Sequence, residues 1–140
     1  MNSEIRNEQK FIVIDEDEVH QLCEFLGLRF ERDQNELLSL YFVDNKKIRE
    51  INKEYLSHDF ETDVISFPMN ESGLLGDIVV SAEQAIIQKS EYSEKEELYF
   101  LIIHGFLHLL GYEDYSEDDR REMLALGKSL LEEYKVKYGE

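Results

Sequence analysis

A single cysteine, Cys23, is all the thiol chemistry these 140 residues carry. That excludes an internal disulfide framework and suits a reducing compartment, so the cytoplasm is the expected location. The N-terminal "MNSEIRNEQKFIVIDEDE" has no apolar stretch long enough for a signal peptide or anchor. The longest apolar run, "LYFLIIHGFLHLL" at 98–110, is too short to span a bilayer and is interrupted by two histidines, so no membrane partner is expected. Basic residues are scarce as well. Lysine and arginine together number 15 against 32 acidic residues, a net charge of −17. Such a chain lacks the global positive field that drives non-specific binding to DNA or anionic lipid. RNA remains accessible only through a local basic patch, a bound metal or a partner. "NKKIREINK" at 45–53 and the pair Arg120 and Arg121 are the candidate patches, though each also reads as a solvated helix face. No linker, repeat or low-complexity segment divides the chain, and one domain over 1–140 is expected.

What is present is an ordinary apolar fraction and sixteen phenylalanines and tyrosines, enough for a folded core. "KFIVID" (10–15) reads as a first strand, followed by a helix over "VHQLCEFLGLRF" capped by Asp15 or Asp17, with Gly27 near its end. "ELLSLYFV" (36–43) reads as a second strand. Asp44 opens a helix over "NKKIREINKEYL", where Ile48, Ile51 and Tyr55 recur at helical spacing. "TDVISFP" (62–68) reads as a strand stopped by Pro68, and "LLGDIVVS" (74–81) as one running directly into a helix. Ser81 with Gln84, Ser93 with Glu96 and Ser116 with Asp119 are hydroxyl-to-acceptor pairs three apart. They predict helices over 81–91, 94–110 and 117–138, with Gly111 as a left-handed terminator of the second. Met123, Leu126, Leu130 and Tyr134 form a one-sided core stripe on the last helix. The order predicts an α+β domain: a small mixed four-stranded sheet flanked by five or six helices.

The chemistry concentrates in "HGFLHLLGYEDY" (104–115). His104 and His108 stand four apart, so on a helix both rings project from one face and can share a zinc ion at about 2.0–2.1 Å. The competing reading is two buried histidines bonded to backbone carbonyls. Against it, this helix is strongly apolar and offers few polar partners. Gly105 leaves room beside the first ring, and a turn at Gly111 brings Glu113 or Asp114 towards an open ligand position. In H-E-x-x-H metalloproteases, glutamate follows the first histidine as general base. Glycine holds that place here, which disfavours peptide hydrolysis.

"HGFLHLLGYED" resembles the signature H-G-x-L-H-L-x-G-Y-D-H of the YbeY family of metal-dependent endoribonucleases, matching nine of eleven positions with the two free ones counted. "TDVISFP" and "LGDIVVS" (75–81) are similar to the family's T-[DN]-V-L-S-F-P and L-G-D-I-V-I blocks. The resemblance implies a zincin-like metal-site helix and one divalent transition metal, zinc first, held by His104, His108 and Asp114. It further implies single-strand-specific cleavage in ribosomal RNA maturation, at the small-subunit RNA 3′ end, and ribosome quality control. The implied partners are ribosomal RNA, the small ribosomal subunit, one of its proteins and an assembly GTPase.

Two positions depart from the family pattern. Asp114 stands where relatives carry the third histidine; a carboxylate still ligates zinc but lowers the site's charge and favours harder metals more. Leu56 stands where the family has an arginine implicated in cleavage, and it can neither clamp phosphate nor stabilise developing charge. His58, two residues on, is the candidate replacement, the alternative being a solvated loop histidine. Glu113 is the candidate proton acceptor or supporting group, while Thr62, Asp63 and Ser66 are expected to wall the cleft. Asp77 reads first as a structural hydrogen bonder. A non-catalytic, metal-stabilised assembly factor that binds ribosomal proteins is the competing function.

Overall fold

In a computed structural model, which describes residues 1–139, the chain runs β1 (Asn2–Asn7), α1 (Glu16–Arg29), β2 (Leu37–Val43), α2 (Asn45–Leu56), β3 (Val64–Glu71), β4 (Leu74–Ser81), α3 (Ala82–Gln88), α4 (Glu94–Leu109) and α5 (Glu117–Tyr138). The strands form one sheet in the order β1-β2-β4-β3, with β1, β2 and β4 parallel and β3 antiparallel to β4. The mixed four-stranded sheet and the α+β class match expectation, with five helices among the described residues. None of these helices is long and apolar enough to cross a membrane.

Period-two alternation sorts the sheet residues between two apolar clusters. Leu38, Leu40 and Phe42 of β2, with Ile78 and Val80 of β4, join the large core beneath α1, α4 and α5. Val43, Ile65 and Val79 instead meet Ile48 and Ile51 of α2 on the opposite face. Helix α4 sits centrally. Ten of its residues are buried, from Glu97 to Leu109, which is why its sequence is apolar nearly all round. The predicted stripe of α5 is observed, with Met123, Leu130 and Tyr134 buried and Leu126 packed beside them.

Two strand assignments are corrected. Residues 10–15 form a loop; the first strand is the polar Asn2–Asn7, recruited by pairing with β2. Gln9 holds that loop, its side-chain oxygen accepting from the Phe11 and Ile12 amides while its NH2 group donates to the Ile12 carbonyl. Pro68 does not stop its strand either, since β3 continues to Glu71. A proline is tolerated there because β3 is an edge strand, where fewer ladder donors are required. The predicted 81–91 helix is also shorter, ending at Gln88.

All three serine caps accept a bond from the amide three residues on, but only Ser93 and Glu96 bond in both directions. Glu96 also meets Lys135 Nζ at 2.7 Å, which ties the start of α4 to the end of α5. Lys135 first, then the Ser93 amide, holds the Glu96 carboxyl down at about 2. A lowered carboxylate contributes stability above its unfolded range near 4.5 and loses it as pH falls towards 2. Water screens the pair, so Glu96→Gln is expected to cost about 1 kcal/mol at pH 7. Urea titrations should show that difference intact down to about pH 4.5 and shrinking below it.

Candidate metal centre

The two histidines lie on the last turns of α4, where the spacing of four brings His104 Nε2 and His108 Nε2 to 3.2 Å. After His108 the helix closes in a Schellman motif: the Gly111 amide bonds the His108 carbonyl, and the Tyr112 amide bonds that of Leu107. Gly111 takes φ 98°, with open space around it, so backbone conformation rather than crowding calls for glycine. The reversal returns Asp114 to the site, its Oδ2 lying 3.6 Å from His108 Nε2.

Among the described residues, His104, His108 and Asp114 form a group whose ligand atoms all fall within 4.8 Å of one another. A tetrahedral ion with bonds of ~2.0–2.2 Å needs ligand atoms ~3.3–3.6 Å apart; the His108–Asp114 separation of 3.6 Å falls in that range and the His108–His104 separation of 3.2 Å just below it. His108 Nδ1 lies 3.1 Å from the Tyr112 carbonyl, which can only accept. The proton is thereby fixed on Nδ1, leaving the Nε2 lone pair directed at the site. His104 is half-buried against Phe100, with its Nδ1 buried and unpartnered. Burial is the main cause that holds this ring below its ordinary range; His108 and Arg120 add to it, against Asp63 and Asp114. A ring kept neutral this way keeps a lone pair for a cation.

Gly105 does not open space beside the rings, as its position after His104 had suggested. It is buried against the sheet, where an added Cβ would stand 2.7 Å from Ile78 Cγ2 and 3.1 Å from Val64 Cγ2. Ser66 Oγ donates to the Gly105 carbonyl at 2.8 Å, so the expected wall residue also pins helix to strand. A glutamate base at this place would meet the sheet, so the sequence-level argument against a protease gains a steric reason.

Two cavities flank the trio and meet at Asp114. One, of about 450 Å³, is lined by His108, Asp114 and Glu113 on one side and by His58, Thr62 and Ser66 on the other, with Leu56 also in its wall. Besides the two ligand candidates and two tyrosines, His58 and Glu113 are its titratable groups. The second cavity, of about 440 Å³, is lined by His104, Asp63, Gln88 and Arg120. Asp77 is elsewhere, on the opposite sheet face with Tyr41 and Val79. Cys23 takes no part, being buried, with its thiol pushed up to about 12 by desolvation.

Sequence reading missed two features. One is the aromatic wall of the first cavity, where Phe60 and Tyr115 are 54 % and 86 % exposed and His58 stacks on Phe60 at 5.4 Å. The other is the position of Arg120, read from the sequence only as half of a basic pair with Arg121, in the second cavity beside His104. A cation in the acidic first turn of a helix was the available signal for it.

The family model described as "Endoribonuclease YbeY" matches residues 4–135. Proteins named "Endoribonuclease YbeY" from Bacillus thuringiensis strain Al Hakam and Bacillus cereus strain AH187 are each 40% identical, with 86% of this chain and 89% of the relative covered. Among solved structures, the solution structure of TM1509 from Thermotoga maritima superimposes with a TM-score of 0.66 at 26% identity, covering 97% of this chain and 91% of that one.

Proposed function

The chain belongs to the YbeY family of endoribonucleases, and from that premise we propose that its 140 residues form one domain that cuts single-stranded ribosomal RNA, using one zinc ion held by His104, His108 and Asp114. The convergence of three donor atoms within 4.8 Å carries this reading. When bound, the ion supplies a Lewis acid for a phosphoryl oxygen and lowers the pKa of water. The protein's own groups do the rest. Glu113, at the rim of the first cavity beside Asp114, accepts the proton released as the nucleophile attacks. His58, lining the same cavity, delivers a proton to the departing oxygen. Glu113 and His58 would thus be the acid–base pair, and Asp114 tempers the charge of the centre.

The single-strand preference follows from the aromatic wall. Phe60, Tyr112 and Tyr115 present exposed faces into the cavity, and only unpaired bases can lie on them, each stack contributing about 1–3 kcal/mol. The setting proposed is small-subunit RNA 3′ end maturation and ribosome quality control in the cytoplasm. The partners are the small subunit, one of its proteins and an assembly GTPase. A net charge of −17 suits contact with basic ribosomal proteins.

One observation favours the second reading, a non-cutting assembly factor: neither lysine nor arginine lines the first cavity, where Leu56 stands. Zinc-loaded protein should cut an unpaired small-subunit RNA fragment, spare a duplex of the same sequence, and stop with chelator. Asp114→Ala should lower metal affinity at least about tenfold and slow cutting in step. Metal-loaded protein that binds ribosomal protein yet leaves every RNA intact would establish the assembly role instead.

A further inference from the structure

Electrostatics sets a problem that the aromatic wall does not solve. An RNA phosphodiester is anionic, the chain is strongly acidic, and the first cavity has no lysine or arginine in its wall. The chain holds six arginines, and five sit beside carboxylates: Arg6 with Glu8, Arg29 with Glu133, Arg32 with Glu36, Arg49 with Asp59 and Arg121 with Asp118. Arg120 forms no ion pair among the described residues, although Glu117, Asp118 and Asp119 precede it directly. Its place in the first turn of α5 opposes the helix dipole, so helix stability does not account for it.

Arg120 lines the second cavity with His104 and Asp114. Its backbone is fixed, since the Arg120 amide bonds the Ser116 carbonyl at 3.0 Å within the capped first turn. Asp63, the other carboxylate of that cavity besides Asp114, is otherwise engaged. Gln88 Nε2 donates to its Oδ2 at 3.0 Å and to the buried Glu97 at 3.1 Å, which holds the Asp63 carboxylate against α3 and α4. An arginine with its donors uncommitted therefore shares a cavity with His104 and Asp114, distinct from the cavity that Leu56 lines.

We infer that Arg120 is the phosphate-binding cation of this centre, gripping a phosphodiester in the cavity it shares with His104 and Asp114. The inference rests on the RNA-cutting reading above and adds a path to it. The strand lies on the aromatic wall, crosses at Asp114 and is held beyond it by the guanidinium, whose planar donors match two phosphate oxygens.

The test measures binding apart from cleavage. Wild type, Arg120→Ala and Arg120→Lys would be titrated, metal-free and zinc-loaded, against a fluorescent single-stranded RNA oligonucleotide with hydrolysis-resistant phosphorothioate linkages, over a salt series. Arg120→Ala is expected to weaken binding about tenfold in both metal states and to flatten the salt dependence by about one phosphate contact, with zinc content unchanged. Arg120→Lys should recover the salt slope but only part of the affinity. Equal binding by wild type and Arg120→Ala would overturn the inference, as would zinc loss in Arg120→Ala, which would make the residue a support of the metal site. A wild type that neither binds nor cuts RNA would sink the RNA reading itself, and Arg120's role with it.

Discussion

Replacing His104 and His108 together by alanine is expected to bring bound metal from about one ion per chain to none and to abolish RNA cleavage, while the chain stays folded. Two of three ligand atoms vanish, and a lone exposed carboxylate such as Asp114 holds a transition metal poorly. The fold should survive because the cores around α4 are built from Leu98, Ile102, Phe106 and their neighbours, not from the rings. Removing His104 even relieves a buried, unpartnered nitrogen, which offsets part of the lost packing against Phe100. Thermal unfolding with and without zinc separates the two effects. Wild type should gain stability as zinc rises, about 2.7 kcal/mol at a hundredfold excess over Kd, while the double variant should not respond. A variant that retained an ion would place the metal elsewhere.

Gly105→Glu should be the most damaging single change in the motif, even though it creates the sequence of a familiar protease. The new side chain points into Ile78, Val64 and Ser66, at distances where backbone or sheet must shift. Overpacking of this kind costs about 1–3 kcal/mol, and an unpaired buried carboxylate adds several more. Against a total stability of about 5–15 kcal/mol, a loss above about 4 kcal/mol is expected, together with little soluble protein. Gly105→Ala is the graded control. It gains about 1 kcal/mol of helix propensity and loses more to the clash, leaving a small net loss. Denaturant titration of both variants checks this order; a Gly105→Glu midpoint equal to wild type would refute the packing account.

Elements defined by their own sequence were readable in advance. Asp44 and the Ile48–Ile51 spacing placed α2, and Ser116 with the Met123–Tyr134 stripe placed α5 to the residue. The first strand failed for the opposite reason. "KFIVID" has strong strand propensity, yet Val13 is 95 % exposed and the segment finds no partner, whereas the polar Asn2–Asn7 pairs with β2 throughout its length. Pairing decides a strand, and pairing is not a local property. The same division runs through the site. His104, His108 and the turn at Gly111 are local geometry and could be read from spacing. Arg120 comes from α5 and Asp63 from the residue before β3, and only folding brings them to His104. Gly105 was singled out correctly but for the wrong neighbour, because spacing gives the face of a helix and not what packs on it.

Pro68 has a consequence for life in a crowded cell. The sheet ends at β3, whose residues Val64, Ser66 and Pro68 border the first cavity, and a bare strand edge invites pairing with a second chain. Proline removes one amide donor from that edge, and the pairing register with β4 breaks between Pro68 and Glu71. Two flaws in the ladder therefore guard the rim against edge-to-edge aggregation, so that the border of the first cavity is not sealed by another copy of the protein.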